Sequence, residues 1–172
     1  MLRCGENGFL STPLGASAIV IVALLACGGL VLWARRPSHP DRGAVLVAAV
    51  TLGVVTGLLN LVFGATGIWQ SCSYGLPLLV VAAYYLLSPM VFGALVVAGY
   101  RWLTRHVRRA GLVYGAFLLV VIAPLIAIGD TVATDNGILA MGGGYMVWMD
   151  VVLGVALFWL PVGVYERLRF GR

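Results

Sequence analysis

Five long apolar runs, separated by short polar links, constrain the fold of this chain more than any other feature. They cover residues 14–34, 43–63, 77–100, 110–129 and 145–165. A helix of roughly 20 residues, at about 1.5 Å per residue, crosses a hydrocarbon core of about 30 Å. Hydrophobic residues make up 62% of the chain and charged residues only 10%, unlike a soluble domain. The sequence therefore predicts an all-α integral membrane protein, a compact bundle of five transmembrane helices that forms one domain over residues 1–172.

The arginines indicate how this bundle is oriented. The chain has no lysine, and all but one of its arginines fall in alternate links or in the tail: Arg35, Arg36, Arg42, Arg101, Arg105, Arg108, Arg109, Arg167, Arg169 and Arg172. The opposite side has Arg3 alone. Because short cytoplasmic loops carry the excess of Lys and Arg, we predict a multi-pass protein of the cell membrane with its N-terminus outside and its C-terminus in the cytoplasm. The net charge of +5 then reflects topology, and no nucleic-acid partner is predicted.

Acidic residues within the apolar segments mark the candidate site. Asp130, Asp135 and Asp150 all lie between residues 124 and 166. A carboxylate within a span costs about 2.5–3.5 kcal/mol by insertion scales, so it is a functional hypothesis by default. Asp150 and Asp130 are therefore the candidate catalytic residues. Structural alternatives remain: Asp150 caps its own helix or pairs with Asn60, and Asp130 and Asp135 cap the end of the fourth span or are solvated there.

Polar and aromatic residues of neighbouring spans are expected at a similar depth. Counting along the predicted helices puts Asn60 and the two candidate acids in one layer near the outer surface, close to the link that carries Trp69. Tyr145 and Trp148 lie at the start of the fifth span. We therefore predict Asn60, Trp69, Tyr145 and Trp148 as ligand-binding residues.

No candidate cofactor or metal site is visible in the sequence. His39 and His106 lie in basic loops that are far apart in the chain, and neither is in a position to serve as a buried metal or haem ligand. The absence of lysine excludes a Schiff base. The glycines at 142–144 follow an apolar turn rather than a strand, so they do not predict a phosphate-binding loop. No cofactor and no metal ion are expected.

The segment from residue 124 to residue 166 carries a resemblance to a known family. Its motif Asp-x-x-Ala-x-x-x-Gly at residues 130–137, followed by an apolar helix that reaches Leu-Pro at residues 160–161 and then an acid, is similar to the membrane-embedded lycopene cyclases of carotenoid synthesis. In that family the helix ends Leu-Pro-x-Glu-Glu. In this chain Val-Gly follows the proline, and the acid is Glu166, which the predicted topology puts across the membrane from residue 130.

The same segment also resembles the emopamil-binding family of sterol isomerases. This resemblance covers Gly-Asp at residues 129–130 and Ala-Leu-Phe-Trp-Leu-Pro at residues 156–161. What the two families imply in common is an acid that protonates an isoprenoid double bond inside a helical bundle.

These observations lead to a predicted function. The chain is expected to be a small membrane enzyme that binds an isoprenoid or related lipid and acts by proton-initiated cyclisation or isomerisation. A dry site keeps a carboxylic acid protonated, and the aromatic faces of Trp69, Tyr145 and Trp148 would stabilise a carbocation. Two alternatives stay open: a non-catalytic subunit of a membrane complex, and a small proton- or cation-coupled carrier with Asp150 as its site.

Two pairs of glycines indicate close helix contacts. Gly53 and Gly57 form a GxxxG pair in the second span, and Gly111 and Gly115 form another in the fourth. Such strips let helix backbones approach closely. They would support a homo-oligomer or a complex with a different subunit.

Cysteine positions predict one candidate disulfide. Cys4 and Cys72 both fall on the predicted outer side, where disulfides persist. Cys27 falls within the first span and is expected to remain a free thiol packed as a small apolar group.

Overall fold

The structure, a computed structural model, describes residues 41–71, 78–135, 139–142 and 145–170, together with positions 18, 21, 22, 24–26, 28 and 29. Side chains at 70, 71, 78–84, 139 and 140 are outside this description. The described positions between 18 and 29 are helical and form helix α1, which falls within the first predicted span. All three cysteines, and with them the candidate disulfide, lie outside the described residues.

Four long helices make up most of the described chain: α2 (Arg42–Thr66), α3 (Leu78–His106), α4 (Ala110–Asp135) and α5 (Val147–Phe170). Each is long and apolar enough to cross a membrane. The prediction of a helical membrane protein is therefore confirmed in its coarse form. Among the described residues, four of the five predicted spans appear as such helices.

The lipid-facing character of the bundle is visible in its exposed side chains. Large apolar residues such as Val120 and Leu61 are exposed by 74% and 71%. In water this surface would oppose folding, whereas lipid tails cover it without cost because they are as apolar as the side chains themselves.

The helices alternate in direction, so the bundle has two chemically distinct ends. We call one the arginine end; it holds the start of α2, the end of α3, the start of α4 and the end of α5. We call the other the ribbon end; there a short antiparallel ribbon joins the link after α2 to the link after α4. Strand β1 (Trp69–Ser71) pairs with strand β2 (Leu139–Met141), with Trp69 opposite Met141.

Two glycines shape the ribbon. Gly67 ends α2 with φ at 70°, in the left-handed region that glycine enters without strain. Gly142 donates its N–H to the carbonyl oxygen of Ile68 at 2.8 Å. A Cβ at Gly142 would overlap the carbonyl oxygen of Gly67, so the two links approach closely only because this position has no side chain.

The buried core lies in the half of the bundle near the arginine end. One cluster of buried side chains joins α2, α3 and α5 around Tyr165, which is fully buried; a second joins α4 and α5 around Leu118, also fully buried. Leu118 begins a wider turn of π-helical hydrogen bonding, Leu118–Ile122, within α4. The hydroxyl of Tyr114 crosses from α4 to donate to the carbonyl oxygen of Phe158 on α5 at 2.9 Å.

Helices α2 and α3 pack closely at their middles. A Cβ at Gly53 would overlap the carbonyl oxygen of Leu86 and the side chain of Met90. A Cβ at Gly93, on the facing helix, would lie 3.1 Å from the Cα of Ala49. The glycine strip of α2 is therefore used for a contact within the chain. On α4, a Cβ at Gly111 would meet no atom within 4 Å.

An ion cluster around Asp41 joins three helices at the arginine end. Asp41 precedes α2 but makes no capping bond with its side chain. Its Oδ2 instead accepts a hydrogen bond of 3.1 Å from the hydroxyl of Tyr165 and lies 3.5 Å from Nη2 of Arg101 and 4.0 Å from Nε of Arg169. The start of α2 is thus tied to the ends of α3 and α5.

Helix α4 is longer than the sequence predicts. The fourth span is expected to end at residue 129, with Asp130 as a cap beyond it, whereas α4 continues through Asp130 to Asp135. The hydroxyls of Thr131 and Thr134 donate to the carbonyl oxygens of Ala127 and Asp130, so these polar side chains are satisfied along the helix. The capping interpretation of Asp130 is therefore wrong.

Candidate functional site

Two carboxyl groups and a phenol meet near the ribbon end. Asp130 on α4 is 9% exposed and is the one buried charged residue among those described. The hydroxyl of Tyr145 donates to Oδ2 of Asp130 at 2.6 Å, and Asp150 lies close enough to Asp130 for the two carboxyl groups to interact electrostatically. Residues from α4, from the link and from α5 thus form one polar cluster.

The local structure explains why these groups converge. Asp150 lies in the first turn of α5, where the helix dipole favours an acid. Tyr145 comes two residues before that helix. Because the link after α4 returns the chain through the ribbon, the start of α5 lies beside the last turns of α4, and the two acids face each other.

The phenol of Tyr145 is held in its neutral form. Burial raises the pKa of Tyr145, and so do its hydrogen bond to Asp130 and the charges of Asp150 and Asp130. A neutral phenol is both a donor and an acceptor. Tyr145 therefore remains a donor to Asp130 throughout the neutral pH range.

A cavity of about 480 Å³ lies beside the acid pair. All four long helices line it, each with residues at helical spacing: Leu52, Thr56 and Asn60 on α2; Tyr85, Ser88, Pro89 and Phe92 on α3; Ile126, Asp130 and Ala133 on α4; and Asp150, Gly154, Leu157 and Phe158 on α5. Trp69 from the ribbon completes the wall. In the described residues, the Ala123–Asp135 part of α4 contacts α5 and β2 but not α3, which leaves room for the cavity.

A second cavity, of about 330 Å³, lies between the end of α2 and the outward face of α5. Its walls include Phe63, Trp148, Val152 and Ala156. Trp69 and Asp150 line both cavities. The two cavities are therefore adjacent at these residues.

Trp69 is held by ring contacts on two sides. Its indole makes an edge contact with Phe63 at a centroid distance of 5.2 Å and a tilted contact with Tyr145 at 6.5 Å. Its Nε1 is covered and has no hydrogen-bond partner among the described residues. Leaving a buried N–H unpaired costs free energy, so the position of this ring is maintained by packing.

No protein-family model matches the chain, and comparisons with curated proteins and with solved structures give no significant match. Its function must therefore be inferred from the chemistry of the site itself.

The structure brings the six sequence-predicted site residues together. Asp130, Asp150, Asn60 and Trp69 line the larger cavity, and Tyr145 and Trp148 line the smaller one with Asp150 and Trp69. The amide Nδ2 of Asn60 donates to the carbonyl oxygen of Thr56 on its own helix at 2.9 Å. Asp135, in contrast, is exposed at the end of α4. Glu166, the acid of the family resemblance, lies near the end of α5, at the arginine end.

Most of the apolar wall is not evident from the sequence. Phe92 and Phe158 line the larger cavity but look like any other residues of a span. A periodic signal was present: Asp150, Gly154, Leu157 and Phe158 recur at intervals of a helical turn, and so share one face. Counting helical turns along α5 from Asp150 therefore leads to the other residues of this helix that line the cavity.

The described residues offer no metal centre. Among them, no three residues of His, Cys, Asp and Glu come together as a metal site would require. The site instead offers two neighbouring acids in the wall of a largely apolar cavity.

Proposed function

We propose that this protein is a small polytopic membrane enzyme that binds an isoprenoid or related lipid and moves a proton to and from one of its double bonds. The observation that carries this proposal is that Asp130, which accepts a hydrogen bond from Tyr145, and Asp150 line one largely apolar cavity. We also propose the cell membrane as its location, with the ribbon end outside, as the arginine pattern predicts.

The closeness of the two acids supports a role in proton transfer. Two negative charges near each other in a largely apolar site are unfavourable, so a pair of acids holds a proton more readily than a single carboxylate does. Because Asp130 accepts the hydrogen bond of Tyr145, we assign the role of proton donor to Asp150, which lines the larger cavity.

The reaction can be written with this one proton. Asp150 gives its proton to one carbon of the double bond, whose π electrons form the new C–H bond, and positive charge remains on the other carbon. A carboxylate of the pair then removes a proton from a neighbouring carbon, whose C–H electrons form the new double bond. If a second double bond attacks the cation first, the product is a ring. In both cases the pair regains its proton, and no oxidant or reductant is needed.

The aromatic lining of the cavities supports a cationic intermediate. Trp69 lies beside Asp150 in both cavities, and Phe92 and Phe158 line the larger one. The face of an aromatic ring attracts positive charge, and more strongly where water is excluded.

A proton- or cation-coupled carrier is the second candidate, because a pair of acids would also suit transport. A carrier must open its site to both sides of the membrane. In the described residues the half near the arginine end is occupied by the buried core around Tyr165 and Leu118, which favours the enzyme. The alternative that the protein is a non-catalytic subunit of a membrane complex is less well supported. The glycine strip at Gly53, which could have bound a partner, is covered by α3 of the same chain.

Deuterium exchange tests the proposal directly. The solubilised protein is incubated in D2O with a mixture of acyclic isoprenoid hydrocarbons and polyprenols, and the lipids are analysed by mass spectrometry. We expect carbon-bound deuterium with the unaltered protein and a loss of about a hundredfold or more with Asp150→Asn. Asp135→Asn, which changes an exposed acid on α4, is the matched control and should keep full exchange. Equal exchange by Asp150→Asn, or none with the unaltered protein, would overturn the proposal.

A further inference from the structure

The separation of the two candidate acids depends on how one part of α4 packs. The Ala123–Asp135 part contacts α5 and β2, but among the described residues it contacts neither α2 nor α3. Asp130 lies in this part and Asp150 lies on α5. The distance between their carboxyl groups is therefore set mainly by the packing of α4 on α5 near the ribbon end.

The core near the arginine end does not by itself fix the direction of the Ala123–Asp135 part. A turn of π-helical hydrogen bonding, Leu118–Ile122, separates this part from the core, and Pro124 is its second residue. Proline cannot donate the hydrogen bond that continues a helix, and helices bend at such interruptions. Contacts close to the acids must therefore hold this part of α4 in place.

One such contact joins Ile126 on α4 to Gly154 on α5. A Cβ at Gly154 would overlap Cδ1 of Ile126 and would lie 3.5 Å from its Cγ1. The end of the Ile126 side chain thus occupies the space that any other residue at position 154 would need.

Helical spacing links this contact to the acids. Asp130 comes four residues after Ile126 on α4. Asp150 comes four residues before Gly154 on α5. Residues four apart share a helix face, and because the two helices run in opposite directions, both steps lead toward the ribbon end. The contact therefore lies one turn deeper than the acids, about 6 Å at 1.5 Å per residue, and all four residues line the larger cavity.

We propose that Gly154 is a positioning residue, which sets the distance between Asp130 and Asp150 by letting Ile126 pack closely on α5. This inference rests on the proposed function and adds to it a residue that acts through the two acids. Neighbouring acids in an apolar site hold a proton more readily than a single one does. Moving α4 away from α5 would remove this effect, and Asp150 would lose its role as proton donor.

The effect should depend on the size of the side chain at position 154. The atoms nearest to an added Cβ all belong to Ile126, and the overlapping one is its terminal methyl group. Rotation of that methyl group can accommodate Gly154→Ala, which should behave normally. Gly154→Val adds two more methyl groups and is expected to push the helices apart. Adding Ile126→Ala to Gly154→Val should restore the close packing.

Chemical cross-linking measures the spacing without depending on activity. With the native cysteines replaced by serine, Asp130→Cys and Asp150→Cys introduce one thiol on each helix. Dimethanethiosulfonate reagents of increasing length are applied in detergent, and mass spectrometry of the digested protein identifies the shortest one that joins the two thiols. We expect the shortest reagents to join them when Gly154 is present, and only longer ones to do so after Gly154→Val.

Gly163→Val is the matched control, because Gly163 is an exposed glycine of the same helix and an added Cβ there would meet no atom within 4 Å. It should leave the required reagent unchanged. The double variant with Ile126→Ala should again react with the shorter reagents. Thermal unfolding checks that each protein is folded, and Ile126→Phe, which enlarges the same contact from α4, replaces Gly154→Val if that variant does not fold.

Deuterium exchange then relates the spacing to the reaction. In proteins that keep both acids, we expect Gly154→Val to slow deuterium incorporation about tenfold or more, since small displacements of reacting groups are costly. Adding Ile126→Ala should restore most of the rate. The inference is overturned if Gly154→Val leaves the cross-linking pattern unchanged, if long reagents are needed even with Gly154 present, or if the thiols separate while exchange stays normal.

Failure of this inference is distinguishable from failure of the proposed function. If the unaltered protein shows no exchange but Gly154→Val still lengthens the required reagent, the enzyme function fails while the role of Gly154 in spacing the acids stands. If the unaltered protein exchanges deuterium and Gly154→Val changes neither measurement, the enzyme function stands and the positioning role fails.

Discussion

Tyr145 donates a 2.6 Å hydrogen bond to Oδ2 of Asp130 and thereby joins the link before α5 to the last turns of α4. The bond fixes Asp130 as an acceptor. It leaves Asp150, the other acid that lines the larger cavity, as the proton donor of the proposed reaction.

Removing the Tyr145 hydroxyl should affect both stability and proton exchange. In Tyr145→Phe, Asp130 loses a donor at a cost of about 1–3 kcal/mol, and the orientation of its carboxyl group beside Asp150 is no longer fixed. We expect a lower melting temperature in detergent and about tenfold slower deuterium incorporation. Because burial raises the pKa of Tyr145 above its ordinary value, the hydroxyl stays protonated at neutral and mildly alkaline pH, so the difference between the two proteins should be constant there.

Tyr165→Phe is the matched control for that change. It also removes a hydroxyl that donates to an aspartate, Asp41, but at the arginine end. It should lower the melting temperature without slowing exchange. Equal slowing by both variants would mean that Tyr145 acts only on stability.

Gly53 should be essential for the stability of the isolated chain. A side chain there overlaps the backbone of Leu86, so Gly53→Leu must separate α2 from α3 and is expected to cost about 1–3 kcal/mol or more. Thermal unfolding of monomeric protein in detergent measures this. Gly111→Leu, at a position with open space, should melt normally. Normal melting of the Gly53→Leu monomer would contradict the close contact between α2 and α3.

The ion cluster at the arginine end should contribute to the stability of the fold but not to ligand binding. Asp41→Ala removes the acceptor of Tyr165 and leaves the guanidinium of Arg101, which is 12% exposed in its side chain, without this partner. We expect a loss of about 1–3 kcal/mol with the binding of isoprenoid probes unchanged. Asp135→Ala, an exposed acid, is the control. A loss of ligand binding in a folded Asp41→Ala protein would contradict the separation of stability from binding.

The orientation of the bundle can be tested by labelling single cysteines in intact cells. With the native cysteines replaced by serine, Asp135→Cys and His106→Cys introduce thiols at exposed positions of the two opposite ends. A membrane-impermeant reagent should label Asp135→Cys from outside and His106→Cys only after lysis. The reverse pattern would invert the proposed topology.

Much of this arrangement could be predicted from the sequence because the length of an apolar run can be read from consecutive residues. The spans expected at 43–63 and 145–165 correspond to α2 and α5 within a few residues. The depth of Asp150 and Asn60 followed from counting helical turns, and both residues line the same cavity.

Other features depend on contacts between distant parts of the chain. The ribbon pairs Trp69 with Met141, and strands of three residues are too short to produce a recognisable pattern. The end of α4 is hard to predict because Thr131 and Asp135 are typical of a polar link. In the structure the Thr131 hydroxyl bonds to the preceding turn, which allows a threonine to continue a helix. The role of Asp41 depends on Tyr165, 124 positions away in the chain.

The placement of the core affects how the sequence of this protein can evolve. Buried packing around Tyr165 and Leu118 lies near the arginine end, whereas both cavities lie toward the ribbon end. Substitutions in the cavity walls, such as at Ala133 or Val152, therefore fall outside the two buried clusters, and most of their effects are expected to be independent of the contacts in those clusters. We therefore expect that substitutions in the cavity walls can change the shape of the bound ligand while the chain still folds.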